Sequence, residues 1–223
     1  MTSQELWAQV AETLERYNLL KHPFYQAWSK GELTPGQLAF YGAQYGRHVV
    51  AFPTYLTRLH SRLEDGPARR AILANAADEE SEAGSHGDLW RQFAEGFGGN
   101  AGGGVKVDEV TALVETFRTI AERASLPRAL GAFYAYESQV PAIAREKLRG
   151  LKKFYGASER TGEYFTVHMT ADVRHAAVWR GLIDRSLEEE PGCGPQVLEG
   201  VGRAAGALWN ALDGIERART TLP

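Results

Sequence analysis

A chain of 223 residues with 43% hydrophobic and 24% charged side chains, including five Trp, nine Tyr and nine Phe, has ample apolar area for a core and no signature of disorder. Its 25 basic and 28 acidic residues give a net charge of -3 spread along the chain, which excludes the Lys/Arg stripe that phosphate neutralisation requires. No apolar run approaches membrane-spanning length, the first residues lack a cationic stretch leading into an apolar one, and the single Cys193 has no partner for an intramolecular disulfide. No nucleic acid, no membrane and a cytoplasmic location are therefore expected.

Apolar residues recur at steps of three and four through most of the sequence without sustained alternation, which predicts an all-α protein. A first helix is expected from about Ser3 to Tyr17, with Leu6, Val10 and Leu14 on one stripe. It breaks ahead of Pro23, because the residue before a proline is driven away from helical angles, and a short helical turn then reaches Gly31. Thr34, Pro35 and Gln37 supply the N-cap, first-turn proline and capping-box partner of a long helix. Its stripe of Tyr41, Tyr45, His48, Phe52, Tyr55 and Leu59 faces one way, with a kink expected at Pro53. Asp65-Gly66-Pro67 closes that helix and opens another through Ile72, Ala76, Leu89 and Phe93, and the run from Gly98 to Gly104 reads as a flexible loop. Helices at about Val107 to Arg123, Pro127 to Arg149, Glu159 to Leu187 and Pro195 to Thr220, with Ser125 and Ser158 as caps, bring the count to about seven. Nothing repeats and no linker stands out, so residues 1–223 read as one compact helical bundle.

His168, Asp172 and His175 lie at i, i+4 and i+7, within a narrow arc of one helix at about 100° per residue. Glu79 and His86 are seven residues apart, two turns along one face, and Glu137 stands in the aromatic stretch Gly131 to Tyr136. Three imidazoles and three carboxylates converging in a bundle suit two first-row transition ions better than zinc alone. The paired Glu-x-x-His pattern of ferritin-like proteins is absent. Tyr25, Tyr41, Tyr45, Tyr136 and Tyr164 are the phenols expected nearby, and a redox-active metal pair beside phenols is poised for oxygen chemistry on an aromatic ring. Taken singly, His22, His48 and His60 read as surface or hydrogen-bonded histidines, and the tyrosine stripe as core packing. Glu80 and Glu82 read as a solvated face. Lys147, ten residues beyond Glu137, either reaches the edge of the site or snorkels to water. Cys193 reads as a bystander thiol in a loop.

The strings Leu20-Lys21-His22-Pro23-Phe24-Tyr25, Asp78-Glu79-Glu80 running to His86 and Leu89-Trp90, Tyr136-Glu137-Ser138-Gln139-Val140-Pro141, and His168-x3-Asp172-x2-His175 resemble the CADD family. These are chlamydial-protein-associating-with-death-domains-like members of the haem-oxygenase-like dimetal oxidases, related in fold to TenA and PqqC. The resemblance spans roughly His22 to His175. It implies a seven-helix haem-oxygenase-like bundle, a homodimer, and a diiron or manganese–iron pair using O2 with an external reductant. The activity it implies is p-aminobenzoate synthesis for folate, with the protein's own tyrosine consumed and catalytic turnover lost. Matched by motif, Glu79, His86, Glu137, His168, Asp172 and His175 would be the ligands, Tyr25 the consumed tyrosine, Lys147 the amino donor and Tyr41 a radical relay or stabiliser. Two departures are visible: Ser85 stands where Asn is expected before the ligand histidine, and the glycine loop is longer than usual. A side chain held at reactive distance needs no substrate pocket, since proximity takes its place. The main alternative keeps the metals and uses an external small-molecule substrate. Others are a TenA-type hydrolase with Cys193 as nucleophile, a partner-binding helical protein, and haem binding with His22 as axial ligand.

Overall fold

Capping chemistry sets most of the helix starts. Thr2 and Thr34 each close a reciprocal capping box, with Glu5 and Gln37 respectively, and the Ser158 hydroxyl accepts from the Thr161 amide. The computed structural model describes residues 1–81 and 84–221. Their helices are α1 Ser3–Arg16, α2 Pro23–Lys30, α3 Pro35–Ser61, α4 Pro67–Glu79, α5 His86–Glu95, α6 Asp108–Arg123, α7 Leu126–Glu137, α8 Val140–Phe154, α9 Glu159–Glu189 and α10 Gly194–Arg219, with a single 3-10 turn at Leu19–Lys21. No strand occurs among the described residues. None of their helices is long and apolar enough to cross a membrane. Glu82 lies outside the described residues.

The described helices outnumber the expected seven or so because the turn before Gly31 is a full helix, α2, and two expected long helices are each broken. The first break follows Glu79, and α5 restarts when the Ser85 hydroxyl accepts from the Asp88 amide at 3.1 Å. Serine caps a helix as well as asparagine does, so the departure at Ser85 keeps the local geometry. The second break follows Glu137, and Pro141 sits in the first turn of α8, where its missing N–H costs nothing. Ser125 occupies the N-cap position of α7, but its hydroxyl bonds to the Gln196 side chain instead of capping. Helix α3 continues through Pro53.

The helices pack around one hydrophobic cluster that runs from Leu6 to Ile215. Helix α10 lies along α7 and α6, α9 along α8, α7 and α5, and α3 along α6 and α5. Gly131 and Gly200 let α7 and α10 touch backbone to backbone: a Cβ on Gly200 would overlap the Arg128 carbonyl oxygen, and one on Gly131 the Val197 carbonyl. That contact fixes α7, and with it Glu137 at the helix end. The glycine-rich segment is tied down, contrary to the expected flexible loop. Gly102 N donates to Ala43 O at 2.8 Å, Arg47 donates to Gly103 O at 2.9 Å, and Gln44 bridges Val105 O and Val107 N at 2.8 and 3.1 Å.

Candidate metal centre

Helix α9 presents His168, Asp172 and His175 from one buried face, as the i, i+4, i+7 spacing requires. Glu79 is the last residue of α4, His86 the first of α5 and Glu137 the last of α7. Glu79 and His86 therefore do not share a helix face; the chain break between them turns the imidazole back, and His86 Nδ1 lies 2.7 Å from Glu79 Oε2. The six residues form two overlapping sets. Glu79, His86 and His168 make one, and Glu79, Glu137, Asp172 and His175 the other, with the candidate ligand atoms of each set all within 4.8 Å of one another. Glu79 belongs to both, the position a bridging carboxylate would occupy.

Neighbouring groups orient the six. His168 Nδ1 meets the Tyr164 carbonyl at 2.6 Å; a carbonyl only accepts, so Nδ1 carries the proton and Nε2 is left as the donor atom for a cation. His175 Nε2 is similarly engaged by Asp78 Oδ2 at 3.1 Å, which leaves Nδ1 3.3 Å from Asp172 Oδ1 and 3.5 Å from Glu137 Oε1. The Asn75 amide donates to both Glu137 oxygens at 3.1 and 3.3 Å, and the Trp179 indole donates to Oε2. Asn75, Asp78 and Trp179 escape the sequence reading. Their only signal is helical spacing, since Asn75 precedes Glu79 by one turn and Trp179 follows His175 by one turn.

The electrostatics are those of a cation site. Burial raises the Glu79 carboxyl, against the opposing pull of His86, and raises that of Asp172 to about 7. Burial drives His168 down to about 3. In His175 burial works downward but the adjacent Asp172 and Glu137 carboxylates prevail and hold it up at about 11; in His86 the Glu79 carboxylate likewise outweighs burial. Among the described residues, imidazoles are the only ion-pair partners of Glu79, Glu137 and Asp172. His86 Nδ1 and His175 Nδ1 approach carboxylate oxygens without the alignment of an N–H donor, so both stay unsatisfied as hydrogen-bonding atoms. Lone pairs converging at this range on a buried point match a donor set for two divalent transition ions, whose binding would displace the protons.

Tyr25, Tyr41 and Lys147 lie across a layer of aromatic rings from this cluster, with Tyr136 and Tyr164 lining the space on both sides. His22 caps α2, accepting from Phe24 N at 3.1 Å through Nδ1 and meeting Asp213 Oδ1 at 3.0 Å through Nε2. With both nitrogens engaged it offers no axial position to a haem. Tyr25, on α2, and Tyr41, on α3, place their hydroxyls 3.0 Å apart. Lys147 Nζ donates to Tyr25 Oη at 2.9 Å and also to Tyr41 Oη, and lies 4.1 Å from the Tyr25 ring centroid. Lys147 is 3% exposed and belongs to α8, so it neither snorkels nor shares a helix with Glu137. Burial without an acidic partner drives its amine well below the ordinary lysine range, and burial raises the Tyr25 and Tyr41 phenols. Aromatic rings connect the two centres. Tyr164 stacks on His168 with centroids 3.9 Å apart, Trp90 lies 4.7 Å from Tyr164 and 5.6 Å from Tyr41, and Tyr41 stacks on Tyr45 at 5.4 Å. Trp90, unassigned from the sequence, touches both Tyr164 and Tyr41. Cys193 is buried at the start of α10, where burial raises its thiol, and belongs to neither ligand set.

Residues 40–209 match the family described as iron-containing redox enzymes. The chain is 40% identical to a 4-aminobenzoate synthase of Chlamydia pneumoniae, over 92% of this chain and 93% of that protein. Among solved structures, a TenA homologue from Pseudomonas syringae pv. tomato superposes with a TM-score of 0.78 at 17% identity, covering 96% of this chain and 92% of its own. A CADD-like protein of unknown function from Nostoc punctiforme gives 0.77 at 16% identity, covering 96% and 97%. The chain belongs to the iron-containing redox enzyme family, with a CADD-type, haem-oxygenase-like fold.

Proposed function

We propose that this protein makes 4-aminobenzoate from its own Tyr25, with Lys147 as nitrogen donor and O2 as oxidant. The observation that carries the reading is the buried contact of the Lys147 amine with the hydroxyl and ring of Tyr25, across a layer of aromatic rings from the carboxylate–imidazole cluster. The activity named for the Chlamydia pneumoniae relative supports the product. Glu79, His86, Glu137, His168, Asp172 and His175 would hold two metal ions, diiron or manganese–iron. Such ions, when bound, supply the redox chemistry that makes O2 an effective oxidant, with electrons from an external reductant.

The chain's own residues do the rest. Tyrosine becomes 4-aminobenzoate when the Cα–Cβ bond breaks, Cβ is oxidised by O2 to the carboxyl, the Lys147 nitrogen takes the ring position of the phenolic oxygen, which leaves as water, and the Lys147 Cε–Nζ bond is cleaved with Cε left as an aldehyde. Burial lowers the Lys147 amine well below the ordinary lysine range, which favours the neutral form whose lone pair can act at the ring it touches. Tyr41 completes a triangle of hydrogen bonds that fixes the Tyr25 hydroxyl and offers it a proton partner. Full burial excludes water from a reactive ring. Tyr25 already fills the place a substrate would take: the cavity beside it measures about 20 Å³, too small for a second aromatic ring. This favours self-consumption over an external aromatic substrate.

Peptide mass spectrometry of reduced, metal-loaded protein before and after exposure to O2 tests the reading. The expected result is loss of the Tyr25 side chain together with a modified Lys147, and no 4-aminobenzoate from Tyr25→Phe at unchanged metal content. Unchanged peptides in a sample that consumes O2 would overturn it in favour of a diffusible substrate.

A further inference from the structure

We infer that the small cavity between the Tyr25–Lys147 pair and the metal-ligand cluster is a holding site for dioxygen, reached from the surface past Ile143. The cavity, about 20 Å³, is walled by Leu19, Tyr45, Val140, Ile143 and Lys147, all buried, together with the ring of Tyr25. Its size admits one diatomic molecule or one water. Its chemistry selects the former. A buried water needs two to four polar partners. Here Lys147, Tyr25 and Tyr41 satisfy one another, and neither they nor Tyr45, Tyr136 and Tyr164 are among the buried polar atoms without a partner. The remaining wall is hydrocarbon, which suits an apolar gas.

The position is that of a waiting room. Tyr136 and Tyr164 line this cavity on one side and, on the other, the space bounded by Glu79, Glu137, His168 and Asp172. A molecule held there is one ring away from the ligand cluster and in contact with Tyr25. On the outer side, Ile143 is shared with a surface groove of about 330 Å³ that includes Asn18, Leu20 and Gln139. Leu19 faces inward and Leu20 outward, so the 3-10 turn Leu19–Lys21 is the partition between groove and cavity. Gln139 rivets that partition: its side chain accepts from Leu19 N at 3.2 Å and donates to Ala135 O at 3.1 Å. The partition between groove and cavity thus includes the Ile143 side chain and the turn Leu19–Lys21, which the side chains of Asn18, Gln26 and Gln139 hold.

The inference builds on the O2-dependent reading, and its test is independent of metal and of product. Crystals of metal-free protein pressurised with xenon, an apolar probe of gas sites, should show one xenon atom in this cavity. Ile143→Trp should lose that atom, as should Val140→Phe, a second variant should the first fail to fold, whereas Leu20→Ala, facing the groove, should keep it. In metal-loaded protein the same two filling variants should slow O2 consumption at low O2 while leaving metal content unchanged. An ordered water in place of xenon in the unaltered protein, or xenon and O2 consumption untouched by both filling variants, would overturn the gas site. Xenon bound in the cavity with Tyr25 intact after O2 exposure would leave the gas site standing and overturn self-consumption.

Discussion

Lys147→Met removes a buried amine that has no acidic partner, and its effect on stability follows from where the proton goes. In the unfolded chain the amine titrates at its ordinary value near 10.5; in the fold, burial keeps it neutral far below that. Between the depressed folded value and 10.5 the unfolded chain binds one proton more than the native chain, so stability rises with pH across that window. The slope for one proton is about 1.4 kcal/mol per pH unit. Other groups slope the opposite way. His175, raised to about 11, contributes stability that is complete below its unfolded value of 6.5 and is lost as pH rises toward 11. That contribution is common to both proteins and cancels in their difference. Urea denaturation of metal-free protein and Lys147→Met at pH 8, 9 and 10 should therefore give a stability difference, unaltered protein minus variant, that rises with pH by up to about 1.4 kcal/mol per unit. The variant loses two hydrogen bonds, about 1 kcal/mol each, and of the Tyr25 and Tyr41 hydroxyls, 3.0 Å apart, only one can donate to the other; these losses offset the two curves without changing their relative slope. Parallel curves would refute the argument, because they would mean that the folded protein keeps Lys147 charged.

Three further outcomes follow from the geometry. Trp179→Phe removes a donor from Glu137 Oε2 without touching a ligand, and should weaken metal retention by about 10- to 100-fold in a chelator competition, with Asn75→Ala acting in the same direction. Gly200→Ala forces a methyl onto the Arg128 carbonyl and should destabilise by about 1–3 kcal/mol, whereas Gly202→Ala on the same helix meets open space and should stabilise by about 0.5–1 kcal/mol; thermal melts separate the two. Asp172, raised to about 7, takes up a proton below that pH, so metal content after dialysis should fall as pH is lowered from 8 to 6.

The parts of this protein legible in its sequence are those set by local chemistry. Thr34, Pro35 and Gln37 announce the start of α3 because a capping box is read off three residues, and the His168, Asp172, His175 face is legible because ligand atoms and helix period are both local facts. The breaks after Glu79 and Glu137 were missed because apolar periodicity runs across them; Gly84-Ser85 and Val140-Pro141 were their signals. Missing the second break had a cost beyond bookkeeping of helices. On a continuous helix Lys147 lies about 80° from Glu137 and reads as a candidate for water. On α8, turned by the break, it points into the aromatic core. Asn75, Asp78 and Trp179 were illegible for a different reason: a side chain that orients a ligand carries no signature until the ligand it touches is known.

The placement of the six candidate ligands on helix interiors and helix ends divides the site mechanically. His168, Asp172 and His175 lie mid-way along a 31-residue helix, where backbone bonds on both sides hold each Cα in place. Glu79 and Glu137 each close a helix, where the final carbonyls lack intrahelical partners and the backbone follows the turn beyond. One half of the centre is thus an anvil, and the other, with His86 at the first position of α5, is carried on helix ends. Ions that change charge during a reaction ask their ligands to shift by fractions of an ångström, and the helix ends can follow while the anvil keeps the register. Sequence changes at Ser138 and Gln139 would then retune the centre without altering a single ligand.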